Sequence, residues 1–121
     1  MKYKILLVED NLVLLECYYQ ILNQFGFNVL ALDNISNPNL ILNFEPDLII
    51  SDLFLGYGND ISIFDFLKSF FGHRKIPLIL VTGNSEFNSN IFSEIELVGE
   101  VLIKPISIEV LINSVKKYLN A

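Results

Sequence analysis

The chain has 121 residues, 52% of them hydrophobic and 18% charged, enough apolar material for one core but too few residues for a second domain of ordinary size. The net charge of -6 argues against nonspecific nucleic-acid binding, which needs a basic face to neutralise phosphates, and Lys and Arg together number only 8. Cys17 is the single cysteine, so no intramolecular disulfide can form and a reducing, cytoplasmic setting is expected.

Along the chain, Ile5 to Val8 is a short apolar run closed by Glu9 and Asp10. It is too short for a signal peptide's core or a membrane span and reads instead as a buried strand with acids at its carboxyl end. Asp10 or Asn11 can cap a helix from about Leu12 to Phe25, with Leu14, Cys17 or Tyr18, Ile21 and Phe25 at helical spacing and Gly26 as terminator. On this reading Cys17 is a small buried hydrophobe. Leu12, Leu15 and Tyr19 form a second apolar stripe on the same helix, away from the buried set, as a candidate partner surface. Phe27 to Leu32 is strand-like, Asp33-Asn34 is a turn, and Ser36 with Pro38 starts a short helix that ends before Pro46.

Leu48-Ile49-Ile50 is uninterrupted by charge, which suits a central strand buried on both faces, and Asp52 stands at its carboxyl end. Asp47, at the other end, reads as a solvated cap. The loop Leu53 to Asp60 holds two glycines, Asn and Asp; a third helix follows over Ile61 to Phe71, whose phenylalanines are core or rim, and His73 falls in an exposed loop. Pro77 to Val81 is another buried strand ending at Thr82-Gly83, and Ser85 to Leu97 reads as a weak fourth helix broken by Gly99. Val101-Leu102-Ile103 is the last strand, with Lys104-Pro105 at its end, and Ser107 caps a final helix with Val110, Leu111, Val115 and Leu119 as its buried stripe.

Strand and helix alternate five times, which specifies a parallel sheet with right-handed crossovers and helices on both faces. The chain is too short for a TIM barrel, leaving a three-layer flavodoxin-like (βα)5 doubly wound sheet in the order 2-1-3-4-5. The switch point of that order lies between strands one and three, so Glu9, Asp10 and Asp52 converge there. Three carboxylates so close are unfavourable unless a cation or protons offset them, and a hard divalent ion such as Mg²⁺ with oxygen ligands, the Phe54 carbonyl among them, is the natural remedy. Thr82 and Lys104 reach the same rim, making a site for an anion's oxygens with Asp52 as nucleophile towards phosphorus.

Leu7-Val8-Glu9-Asp10-Asn11, Pro46 to Asp52, Thr82-Gly83 and Lys104-Pro105 together make the sequence resemble, over essentially its whole length, the receiver domain of bacterial two-component response regulators. The resemblance implies that Glu9, Asp10, Asp52 and the Phe54 carbonyl arrange Mg²⁺. It implies that Asp52 accepts phosphate from a histidine kinase or histidine phosphotransfer protein, that Thr82 and Lys104 contact that phosphate, and that the peptide before Pro105 is cis. The resemblance also implies that Leu15 and Tyr19 meet a helical partner. A downstream protein partner is implied, with no membrane and no direct nucleic-acid contact. Catalysis would be confined to the domain's own phosphorylation and dephosphorylation.

The sequence departs from the family pattern in three places. Gly56 and Asp60 stand where the loop after Asp52 usually has Pro and Gly, Val101 replaces the usual aromatic three before Lys104, and Leu97 replaces a glycine. Val101 and its surroundings are a candidate partner surface. A phosphorylation-independent receiver-like interaction domain is the alternative. A metal-dependent phosphatase is disfavoured because Phe54 stands where an Asp-x-Asp pair needs its second acid. An FMN carrier is disfavoured because the loop after strand one is anionic.

Overall fold

The computed structural model describes residues 2–52, 76–83 and 98–120. Within them lie β1 (Lys4–Val8), α1 (Leu12–Gln24), β2 (Asn28–Leu32), α2 (Pro38–Phe44), β3 (Leu48–Ser51), β4 (Leu78–Thr82), β5 (Val98–Ile103) and α3 (Ile108–Leu119). The five strands form one parallel sheet in the order β2-β1-β3-β4-β5, as the alternation of elements predicts. The expected loop over 53–60, the helices over 61–71 and 85–97, His73 and the Phe54 carbonyl lie outside the described residues.

The apolar strands are buried on both faces because successive side chains enter opposite cores. Ile5, Leu7, Leu48, Ile50, Ile79 and Val81 pack with Tyr18 and Leu22 of α1 and with Leu111, Ile112, Val115 and Leu119 of α3. Leu6, Val8, Ile49, Leu78 and Leu80 instead pack with Ile41 of α2. Helical layers on both sides of the sheet follow from that two-residue alternation.

The helix ends obey local chemistry. Asn11 caps α1, its Oδ1 accepting from the Val13 and Leu14 amides at 3.1 and 3.2 Å, and Gly26 follows with φ 91°, a conformation that costs glycine little. Pro38 opens α2 behind the Asn37 cap, and the Ser107 hydroxyl accepts from the Val110 amide at 3.1 Å to start α3. Asp47 is exposed, as expected of a cap, and does specific work: its Oδ2 accepts from the Lys4 amide at 2.7 Å, tying the starts of β1 and β3.

The helix faces correct the sequence reading at several positions. Of the expected stripe, Tyr18 is buried and Leu14 and Ile21 pack against the core, whereas Cys17 is exposed and Leu22 is buried in addition. Phe25 is exposed beneath the Lys116 ammonium, 5.5 Å from its ring centroid. Leu15 and Tyr19 are half-buried against the α1 core cluster, which removes them from a free second stripe, whereas Leu12 and its neighbour Val13 are exposed. In α3, Ile112 takes the buried place expected of Val110, which is exposed. Val101 is half-buried against the α2-side cluster. Gly99 is not a helix breaker; it lies inside β5, which starts three residues earlier than expected.

Candidate functional site

Glu9, Asp10, Asp52, Thr82 and Lys104 stand at the carboxyl edge of the sheet, and the backbone ladder carries their strand ends there. Beyond the last residues of their strands, the Glu9 amide still donates to Leu32 O at 3.1 Å, Asp52 to Val8 O at 3.1 Å and Lys104 to Thr82 O at 2.8 Å. Glu9, Asp52 and Lys104 are therefore anchored on their main chain to the neighbouring strand. Val8 pairs with Ser51, Ser51 with Leu80, and Thr82 with Ile103, so the register aligns the strand ends along one rim.

Glu9, Asp10 and Asp52 each present a carboxylate oxygen within 4.8 Å of the others. Glu9 is buried, Asp52 half-buried and Asp10 exposed. Lys104 reaches in from the end of β5, its Nζ donating to Glu9 Oε1 at 2.6 Å and to Asp52 Oδ2 at 2.9 Å. The peptide between Lys104 and Pro105 is cis. Thr82 is buried at the end of β4.

Burial is the largest influence on Glu9 and pushes its carboxyl up to about 7, with the Asp52 charge adding to the rise and Lys104 opposing it. For Lys104, burial favours the neutral amine, but the hydrogen bonds and charges of Glu9 and Asp52 together outweigh it and raise its pKa. The lysine thus stays an ammonium bridging two acids. Tyr18 lies buried on α1, and burial pushes its phenol up.

The donor set suits a hard, small cation. It consists of carboxylate oxygens from two strand ends, exposed at Asp10 and paired, among the described residues, with the Lys104 ammonium. A rim of this composition offers oxygen ligands to a divalent ion, with the half-buried Asp52 carboxylate beside the ammonium. The expected sheet order places Lys104 on the same rim as Glu9 and Asp52, but its hydrogen bonds to both acids depend on side-chain geometry that sequence spacing does not carry.

The sequence matches the family model described as the response regulator receiver domain over residues 5–116. A relative from Pyropia yezoensis, a probable transcriptional regulator named ycf29, is 36% identical over 83 residues, 68% of this chain and 37% of that protein. The chain therefore spans well under half the length of that curated relative. Among solved structures, a CheY-like response regulator receiver domain protein from Methanospirillum hungatei JF-1 superposes with a TM-score of 0.83 at 23% identity, covering 99% of this chain and 95% of that one. The receiver domain of the sensor histidine kinase PA1611 from Pseudomonas aeruginosa PAO1, which has a magnesium ion coordinated in its active-site cleft, superposes with a TM-score of 0.75 at 21% identity, covering 100% of both chains.

Proposed function

Because the chain belongs to the response regulator receiver domain family, we propose that it is the phosphoacceptor module of a two-component or phosphorelay pathway, with Asp52 as the residue that takes the phosphoryl group. One observation carries the reading: the acids of two strand ends and the ammonium of a third share one rim, with Lys104 Nζ 2.9 Å from the Asp52 carboxylate. That arrangement offsets charge where a phosphoryl group would arrive.

In the proposed reaction an Asp52 carboxylate oxygen attacks phosphorus of a phosphohistidine on a histidine kinase or phosphotransfer protein. The P–O bond forms as the P–N bond breaks, and the leaving imidazole takes up a proton to become neutral. Lys104 stabilises the negative charge on the transferring oxygens, and Thr82, at the end of β4, is the hydroxyl that receives one of them. Glu9, Asp10 and Asp52 would hold Mg²⁺, which when bound supplies charge neutralisation at the phosphoryl oxygens; the Phe54 carbonyl is proposed as a further ligand. The magnesium reported for the PA1611 receiver domain supports the choice of ion. The domain acts as a switch whose catalysis is limited to gaining and losing its own phosphate.

The module is proposed to extend over the whole of residues 1–121, with its output passed to another protein surface. The relative named as a probable transcriptional regulator supports an output in gene control, with DNA contacted elsewhere, because a net charge of -6 suits this module poorly to phosphate backbones.

The test is intact mass after incubation with Mg²⁺ and acetyl phosphate. One added phosphoryl group is expected, absent in Asp52→Asn and absent with EDTA. No adduct under conditions where Mg²⁺ binding is measured separately would overturn the reading in favour of a receiver fold that works through interaction alone.

A further inference from the structure

The strand that delivers Lys104 carries an irregularity uncommon in parallel sheets. Leu78 pairs with Val98, but the next residue of β4, Ile79, pairs with Glu100, so Gly99 is one extra residue in β5. From there the register runs regularly through Leu80 with Val101, Val81 with Leu102 and Thr82 with Ile103, and Lys104 donates its amide to Thr82 O. A one-residue change in register turns every following side chain to the opposite face of the sheet. Here the extra residue turns Glu100 towards α3, where its Oε2 accepts from the Ser114 hydroxyl at 2.8 Å. It also sets Leu102 against the α1–α3 cluster and Val101 against the α2-side cluster.

Something must hold the extra residue in place, and Tyr118 of α3 does so in two ways. Its hydroxyl donates to Gly99 O at 2.6 Å, and its ring lies where a side chain on Gly99 would be, with ring carbons 2.6 and 2.8 Å from the position of an added Cβ. Gly99 does not have a positive φ, so the need for glycine here is the close approach of that ring.

We propose that Gly99 and Tyr118 are positioning residues for Lys104: the Tyr118-capped bulge sets the β5 register that brings the Lys104 ammonium onto Glu9 and Asp52. The two ends of this device are five residues apart on one strand, roughly 16 Å. The consequence for phosphoryl uptake rests on the proposed function; the register itself does not.

The experiment compares wild type with Gly99→Ala and Tyr118→Phe, each also in a Lys104→Ala background. Cross-strand NMR contacts read the β4–β5 register, the lysine side-chain ammonium signal of Lys104 reads its pairing, and intact mass follows phosphoryl uptake from acetyl phosphate. Gly99→Ala drives the Tyr118 ring off the strand. It is expected to weaken the Ile79–Glu100 and Thr82–Ile103 contacts, to speed solvent exchange of the Lys104 ammonium, and to slow uptake by roughly tenfold, the scale at which a displaced catalytic group is felt. Tyr118→Phe keeps the ring and loses the hydrogen bond, so it gives a smaller change in the same direction and serves if Gly99→Ala does not fold. With Lys104→Ala the Gly99→Ala effect on uptake should vanish, because both changes act through one ammonium. An unaltered register and Lys104 signal in both variants, or an equal slowing in the two backgrounds, would overturn the proposal and leave the bulge a purely structural feature. Absence of uptake in wild type would sink the proposed function alone, and the NMR measurements would still decide this one.

Discussion

Glu9 is the residue on which the site's electrostatics turn. It is 2% exposed, and its carboxyl is pushed up to about 7 from an ordinary value of 4.5. A folded-state pKa above the unfolded one means the folded protein holds that proton more tightly. The associated stability is therefore complete below pH 4.5 and is lost as pH rises to about 7, on the order of 3 kcal/mol in all. In Mg²⁺-free buffer the melting temperature should fall along this limb, and Glu9→Gln should flatten it; a slope unchanged by Glu9→Gln would assign it to other groups. Lys104 works in the opposite sense. Among the described residues it is hydrogen-bonded to both Glu9 and Asp52, so Lys104→Met should cost more stability at pH 8, above the Glu9 value of about 7, than at pH 5.5. Thermal melts of the variant at the two pH values decide this, and an equal loss at both would show that the lysine acts through packing of its stem.

At the scale of elements, the helix caps are cheap to test and close to the chemistry. Asn11 follows Asp10 directly and accepts from two α1 amides, so Asn11→Ala should cost about 1 kcal/mol and loosen the chain that presents Asp10. Ser107→Ala, which removes one such bond from α3, should cost a similar amount, about 1 kcal/mol, without affecting cation binding. Denaturant midpoints measure the two losses, and a Mg²⁺ titration separates them. Elements governed by local rules were legible in the sequence: the apolar strands, the Asn11 and Ser107 caps, Pro38 at a helix start and Gly26 after a helix end. Elements governed by packing were less so. Helical spacing left Cys17 and Tyr18 both open for the buried stripe of α1 and passed over Leu22, because all three are apolar enough to fit the period and only packing on the sheet selects Tyr18 and Leu22. Gly99 looked like a breaker because nothing local shows that Tyr118, 19 residues later, will occupy the space beside it. The acids of the candidate site were readable because strand ends in a known sheet order converge, whereas the link from Lys104 to Glu9 needed coordinates.

For the molecule as a whole, folding gathers three acids at one edge of a sheet whose two faces pack into apolar clusters, in a chain that already carries a net charge of -6. Repulsion at that edge opposes the burial that holds the two core clusters together, so a ligand that neutralises the edge should stabilise the entire domain. Mg²⁺ held at the proposed site at about 100 times its dissociation constant should add about 2.7 kcal/mol, since the unfolded chain has no such cluster. For a domain of this size that corresponds to a rise of several degrees in the melting temperature. Glu9 gives the effect a pH dependence: below about 7 the ion must displace a proton to use that carboxylate, so the rise at fixed Mg²⁺ should be larger at pH 8 than at pH 6. Melting curves with and without Mg²⁺ at the two pH values, run beside Asp52→Asn, make the measurement. Asp52→Asn removes one charge from the rim, so it should raise the melting temperature without Mg²⁺ and shrink the gain when Mg²⁺ is added. A gain of the same size at both pH values and in Asp52→Asn would place the stabilising cation away from this edge.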